Sequence, residues 1–371
     1  MLENWRNFPR AHLALPDRLF LVGPAACGKS NFLDALRFLR DVVAHGLQEA
    51  VARRGGVGRL RCLSARQRPG VRIGLRVRAD DFGPDWSYLL TFSQDSLQRP
   101  FVLGETLMRG KEVILQRPDE ADRSHPERLS RSWWEHPRAQ RTELAEFLTA
   151  IRYVHAVPQR MRDPLRSSGP EEDADGSDLL AQIARTPPRV QAARLRQLSH
   201  ALGWVVPQLG DLELWRDRDG MPHLRGRFAH WRSHAGWQTE AELSDGVLRL
   251  LSMVWAAQDA PGLLLIEEPE LGLHGAVIRR LPALLQALRG RRGSQLLLST
   301  HAASLLEADG VSPEEVFLLI PEREGTRIRR AQNLSEARAL LEAPPGAFGG
   351  DGHPLAAGGI RQLSLFPEPA D

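Results

Sequence analysis

Lysine is almost missing from this chain. Of 371 residues, 49 are lysine or arginine, yet lysine stands only at positions 29 and 111, so 47 are arginine. A composition so committed to the planar guanidinium keeps lysine where a compact ammonium is needed. Cysteine is nearly as scarce: Cys27 and Cys62 give no disulfide framework, which points to a reducing compartment. No apolar run approaches the roughly 18 residues of a membrane span. The opening residues, Met1-Leu2-Glu3-Asn4-Trp5-Arg6, lack the apolar core of a secretion signal. Neither charge dominates, because 49 basic side chains against 46 acidic ones leave a net charge of +3. That is too little for a global attraction to nucleic acid. These absences predict a cytoplasmic chain without a membrane partner, long enough to bury a sizeable core.

What is present is the stretch Gly23-Pro24-Ala25-Ala26-Cys27-Gly28-Lys29-Ser30, which fits the phosphate-loop pattern G-x-x-x-x-G-K-[ST]. Its frame is right. Residues 19–22 read as a short buried strand and 31–40 as a helix with apolar residues at Phe32, Leu33, Leu36 and Leu39. A loop between strand and helix aims backbone N–H groups at an anion, and the helix N-terminus adds partial positive charge. Lys29 would reach the β- and γ-phosphates and Ser30 would hold Mg²⁺. Cys27 lies beside that helix N-terminus, a setting that lowers a thiol pKa and would permit redox control. A small residue filling the loop accounts for it equally simply.

Residues 2–22 predict two strands and residues 31–52 a helix ending near Gly55-Gly56. Residues 71–78 alternate apolar with mostly basic side chains, as a half-exposed strand does. Segments 86–92 and 101–103 continue an antiparallel sheet inserted after the first helix. Residues 120–140 are polar and broken by proline. Helices are expected over 141–152 and 189–204, a solvated acidic loop between them at 167–177, and strands over 211–241. From 243 the chain returns to an α/β core. Residues 263–266, 295–300 and 316–320 read as strands buried on both faces, and 281–288 reads as helix. After about 343 the composition becomes rich in glycine and proline, and a disordered tail is expected.

The second half of a nucleotide site follows from Ile266-Glu267-Glu268-Pro269-Glu270. Two carboxylates at the end of a buried parallel strand stand where such sheets bind ligands. Glu267 is assigned to the Mg²⁺ shell and Glu268 to general base. His301 ends another buried strand and could contact the γ-phosphate or the attacking water. Leu243-Ser244-Asp245-Gly246 opens a helix over 247–257, with Ser244 a plausible N-cap and a second anion site.

Together these motifs resemble the ABC-type ATPases of the RecF/SMC-like branch. The phosphate loop, the signature Leu243–Gly246, the acidic strand, a D-loop at Glu270-Leu271-Gly272-Leu273-His274 and the switch His301 carry the likeness. The chain is most similar to stand-alone AAA-type members such as the ATPase half of overcoming-lysogenization-defect proteins and several phage-defence ATPases. The resemblance implies an α/β fold: a P-loop NTPase ABC-type head with a mostly parallel core sheet, an inserted antiparallel β-subdomain and a helical lobe. The head would span 1–342, with core and β-subdomain in 1–125 and 243–342 and the helical signature lobe in 126–242. It also implies a homodimer that sandwiches ATP. Gly23, Pro24, Ala25, Ala26, Cys27, Gly28, Lys29, Ser30 and Asn31 would bind ATP in one copy, and Ser244, Asp245 and Gly246 would close on it from the other. The sequence departs from the pattern in places. Ala26 stands where the family has glycine, and Glu267 replaces the commoner aspartate. Gln94 and Gln159 are the candidates for the family's glutamine loop. No heptad run long enough for an SMC arm exists.

Two further features bear on partners. Arg53, Arg54, Arg59, Arg61, Arg66, Arg68, Arg72, Arg76 and Arg78 crowd one region, and either contact DNA phosphates or form a solvated face. In the tail, Gln362-Leu363-Ser364-Leu365-Phe366 is similar to the peptide by which bacterial repair and replication proteins dock the sliding clamp. Gln362, Leu363, Leu365 and Phe366 would fill its pockets. Trp133-Trp134 is read as packing between lobe and sheet, with a partner-facing pair as the alternative. The expected function is an ATP-hydrolysing dimeric switch acting on DNA in repair, replication-linked surveillance or phage defence. The alternatives are an ATPase gating a separately encoded nuclease or other effector from an adjacent gene and, less favoured, a transporter ATPase subunit.

Overall fold

The computed structural model describes residues 1–64, 70–78, 83–162, 178–203, 205–229, 236–260, 262–288 and 295–342. The chain opens on a hairpin, β1 (Leu2–Trp5) and β2 (Phe8–Ala11), then a buried strand β3 (Arg18–Val22) that delivers the glycine-rich loop. Helices α1 (Lys29–His45), α2 (Leu47–Ala52) and α3 (Val57–Leu60) follow. Phe32, Leu33, Ala35, Phe38, Leu39, Val42 and Val43 are buried along α1, the three-to-four spacing of an amphipathic helix. Gly46, at φ 85°, ends it.

Strands β4 (Val71–Val77), β5 (Trp86–Gln94), β6 (Pro100–Arg109) and β7 (Glu112–Arg117) form the inserted subdomain. With β1 and β2 they make one antiparallel sheet, in the order β2-β1-β4-β5-β6-β7. Next come α4 (Glu120–Ser124), a series of single 3₁₀ turns, α5 (Glu143–Thr149), β8 (Arg152–Val154), α6 (Pro158–Met161), α7 (Leu179–Arg185) and α8 (Pro188–Leu202). Strands β9 (Leu209–Arg216), β10 (Pro222–Phe228) and β11 (Trp237–Thr239) make a small antiparallel sheet. The last part runs α9 (Asp245–Asp259), β12 (Leu264–Glu267), α10 (Gly275–Leu288), β13 (Leu296–Thr300), α11 (Ala303–Leu306), β14 (Val316–Glu322), β15 (Gly325–Arg330) and α12 (Leu334–Glu342).

The core sheet has the order β15-β14-β3-β13-β12-β8. Every pair in it is parallel except the β14–β15 edge. The expected α/β class, with a mostly parallel core and an inserted antiparallel sheet, is the observed one. Alternation along the strands sorts two apolar layers. Leu19, Leu21, Leu265 and Leu297 pack with α1 and the antiparallel sheet. Phe20, Val22, Leu264, Ile266 and Leu298 pack with α8, α9, α10 and α12. Helix α1 thus lies between two sheets, with Phe38 stacked on Phe92 at 5.2 Å and tilted against Trp5 at 5.3 Å.

Two expectations need correction. Residues 2–22 hold three strands rather than two. The helix expected over 141–152 stops at Thr149, and Arg152–Val154 turns into the core sheet beside β12. A strand of three residues is too short to declare itself by alternation, so the stretch assigned to a helical lobe also feeds the core. Trp134 is fully buried and stacks edgewise on Trp133 and Tyr88, so this aromatic pair is packing. The acidic segment 167–177 and the tail from 343, including Gln362, Leu363, Leu365 and Phe366, lie outside the described residues.

Candidate nucleotide site

In parallel sheets the carboxyl ends of neighbouring strands share one edge. Here β3 delivers Gly23, β13 delivers His301, and β12, on the far side of β13, delivers Glu267 and Glu268. The loop between β3 and α1 is tightly wrapped. Gly28 caps α1 at φ 102°, and a Cβ there would lie 1.9 Å from the Asn7 side-chain nitrogen. A Cβ on Gly23 would lie 2.7 Å from the Leu319 carbonyl oxygen of β14. Both glycines are therefore required by close approach. Lys29 is buried and its Nζ donates to the carbonyls of Gly23 and Pro24, both at 2.9 Å.

Ala26 sits at φ 61°, the left-handed region that costs a residue with a Cβ about 1 kcal/mol relative to glycine. Ala26→Gly should therefore raise the melting temperature by about 1–3 °C and tighten nucleotide binding, read by thermal unfolding and calorimetry. An unchanged or lower melting temperature would show that the loop carries no such strain. Cys27 is buried, and burial pushes its thiol pKa up, in spite of the nearby Lys29. The thiol is a filler of the loop, and redox control through a reactive thiolate is not supported.

The carboxylate of Glu267 is held from two sides. Ser30 Oγ donates to one oxygen and the Tyr153 hydroxyl of β8 donates to the other. Burial first, and the Glu267 charge second, push the Tyr153 pKa well up, so the phenol stays protonated as donor. The Arg37 guanidinium of α1 lies 4.0 Å over its ring. A serine hydroxyl touching a carboxylate is a hard, all-oxygen donor set, which suits Mg²⁺. Ser30 and Glu267 would hold the ion.

Glu268 has φ 47°, a left-handed backbone unusual for a residue with a long side chain. Its N–H donates to Ser299 O at 2.9 Å. Backbone strain of this kind is concentrated at functional sites. His301 Nδ1 lies 3.2 Å from Glu268 Oε1 and 3.4 Å from Glu270 Oε1. Glu270 is buried and accepts from Thr300 Oγ1 at 2.7 Å and from His301 N at 3.0 Å. It anchors the corner from which His301 projects, a role its place in the D-loop did not suggest.

Ser244 is the N-cap of α9, accepting from Val247 N, and is itself exposed. A Cβ on Gly246 would meet Gly272 O at 2.6 Å, so signature and D-loop press together within one copy. Arg162 clamps the signature by donating to Leu243 O at 2.7 Å and Asp245 at 2.6 Å. Gln159 reaches Asp245 at 3.3 Å, on the signature side, and Gln94 ends β5 in the antiparallel sheet. Asn31 donates to Asn7 Oδ1 at 2.8 Å, whereas Asn7 itself donates to Cys27 O at 2.8 Å and Thr326 Oγ1 at 2.7 Å. Asn31 therefore braces the loop through Asn7.

Four of the nine arginines in the cluster pair with acids. Arg54 is buried between Asp34 and Asp41, and Arg53, Arg72 and Arg76 pair with Glu49, Glu3 and Asp85. Arg59 and Arg78 are exposed, and Arg66 and Arg68 lie outside the described residues. No helix among the described residues is long and apolar enough to cross a membrane.

Comparison with known proteins agrees with this fold. A family profile described as "AAA domain, putative AbiEii toxin, Type IV TA system" matches residues 19–307. Among solved structures, an SMC head bound to the C-winged-helix domain of ScpA superposes with TM-score 0.58 at 15% identity, covering 91% of this chain and 98% of that one. An SMC head with a coiled coil and joint from Pyrococcus yayanosii gives 0.55 at 11%, covering 92% and 98%. One from Pyrococcus furiosus, bound to the C-terminal domain of ScpA, gives 0.53 at 13%, covering 92% and 97%. At these identities the likeness is one of fold. No curated protein sequence matches.

Proposed function

The chain belongs to the family described as AAA domain, putative AbiEii toxin, type IV toxin–antitoxin system, and from that premise we propose that it hydrolyses ATP at a site shared between two copies of itself. It carries an ATPase domain with the fold of an SMC head. The observation that supports hydrolysis most directly is the meeting of Ser30 with Glu267 at one sheet edge, with the strained Glu268 and His301 beside them.

In this reading the loop from Gly23 to Asn31 wraps the phosphates and Lys29 turns from its own carbonyls toward them. Mg²⁺, held by Ser30 and Glu267, would neutralise charge on the β- and γ-phosphates. Glu268 orients and deprotonates the attacking water, and His301 keeps the Glu268 carboxylate in place. Residues 1–342 act as one head. Ser244, Asp245 and Gly246 close on the ATP of the partner copy, for which the exposed N-terminus of α9 is suited. ATP then draws two heads together and hydrolysis releases them.

Lys29→Ala and Ser244→Arg each spoil both sites of a homodimer, but a hybrid dimer retains one intact site. Mixing the two inactive variants should therefore restore ATP turnover in a phosphate-release assay. A mixture as inactive as its components would oppose the shared site.

The wider setting we propose is the cytoplasm, in DNA repair, replication-linked surveillance or phage defence. DNA contact then rests on Arg59, Arg78 and the two arginines outside the described residues, and clamp docking on the segment 362–366. A second reading, an ATPase gating a separately encoded effector, is favoured by the toxin–antitoxin wording of the family description.

A further inference from the structure

Three adjacent strands present side chains to the same face at the edge where Ser30 meets Glu267. Val154 and Ala156 line a small cavity against Arg249 and Met253 of α9, on the face away from α1. Strand alternation therefore turns Tyr153 and His155 toward α1, as the Arg37–Tyr153 contact bears out. The β8–β12 register pairs Val154 with Ile266. Continued by one residue it sets His155 beside Glu267. On the other flank Glu267 pairs with Ser299 of β13. The row across the sheet is His155, Glu267, Ser299.

Both flanking residues carry an unpartnered polar atom. His155 Nδ1 and Ser299 Oγ are each sealed from solvent and have no hydrogen-bond partner. An orphaned buried polar group costs about 1–3 kcal/mol and calls for a missing water, ion or ligand. Two such atoms on either side of one carboxylate share a cause more simply than they have two. Each can accept a hydrogen bond from water, which a hydrated cation supplies in a fixed geometry. Neither glutamine singled out from the sequence stands in this row.

We propose that His155 and Ser299 form the outer shell of the divalent cation site, each bonding a water bound to the Mg²⁺ that Ser30 and Glu267 hold. This rests on the nucleotide-site reading above. His155 then fixes the metal rather than the phosphates, so its loss should be felt only when metal is present.

Calorimetric titration with a non-hydrolysable ATP analogue, run with Mg²⁺ and again with EDTA, tests this. His155→Ala should weaken binding about tenfold with Mg²⁺, equivalent to about 1.4 kcal/mol, and leave binding in EDTA unchanged. Ser299→Ala should follow with a smaller loss. His155→Gln, which keeps a polar tip at similar reach, should recover most of the affinity, and it also serves if the alanine variant does not fold. Titration of Mn²⁺ into the analogue-saturated protein, followed by electron paramagnetic resonance, should show the same weakening of metal affinity. Equal affinity in wild type and variants, or an equal loss with and without metal, would overturn the assignment. Failure of the wild type to bind the analogue would instead remove the nucleotide-site reading itself.

Discussion

Glu268→Gln should bind ATP normally, hydrolyse it about 10²–10⁴-fold more slowly, and accumulate as an ATP-bound dimer. The amide keeps the shape and the hydrogen bond toward His301 but cannot take a proton from water. Because Glu267, Ser30 and Lys29 remain, affinity should be spared, and the loss should appear in kcat rather than KM. Closed heads that cannot hydrolyse cannot reopen, so light scattering should find twice the monomer mass with ATP and the monomer without it. Turnover at the wild-type rate would show that another group activates the water. The positive φ of Glu268 adds a second readout. Glycine adopts that backbone freely, so Glu268→Gly should match the glutamine variant in inactivity yet be more stable than it, by about 1 kcal/mol. If the glycine variant were the less stable of the two, the strain would not be stored at this residue.

How much of this site could be read in advance follows from how local each part is. The phosphate loop and the Glu267–Glu268 pair are contiguous strings, each following a buried strand, so their chemistry and their position on the sheet edge are both written locally. His301 is legible for the same reason. The braces are not. Tyr153 reaches Glu267 across 114 residues, Arg162 reaches Asp245 across 83, and Thr326 reaches Cys27 across 299. A tyrosine in a three-residue strand, or a lone asparagine such as Asn7 in a hairpin turn, carries no local pattern that separates it from its neighbours. The arginine cluster meets a different limit. Its density in sequence left DNA contact and a solvated face both open, and in the fold Asp34 and Asp41, on the helix beneath, pair with Arg54 while Arg59 and Arg78 stay exposed. Charge counted along a chain ignores the acids that a fold brings alongside.

Arg117→Ala should cost about 3–5 kcal/mol of stability at neutral pH, and the loss should shrink as the solution is acidified. Arg117 is the cation of a buried network that fastens β6 and β7 to the 3₁₀ turns around Trp133. Its guanidinium forks onto Asp122 at 2.9 and 3.0 Å and touches Glu105 at 3.3 Å. It also donates to the carbonyls of Arg128 and Arg131, both at 2.9 Å. Tyr88 and the Trp133 N–H complete the Glu105 carboxylate at 2.7 and 2.8 Å. The Arg117 fork holds the Asp122 carboxyl down at about 2, whereas burial pushes that of Glu105 up. For Asp122 the folded pKa lies below the unfolded value of about 3.9. Its contribution is therefore full above that value and is lost as pH falls toward 2. Without Arg117 the buried Glu105 loses its cation and Asp122 keeps only the exposed Arg128 at 3.6 Å, so both folded pKa values rise, and Glu105 makes the variant lose stability as pH rises instead. The gap between wild type and variant should be widest near neutrality, narrow below about pH 4 and close only as pH falls toward 2. Denaturant unfolding at several pH values, with Arg117→Met as a control that keeps apolar volume, separates this from simple loss of packing. A pH-independent gap, or full rescue by methionine at neutral pH, would mean that Arg117 fills space and its charge is incidental.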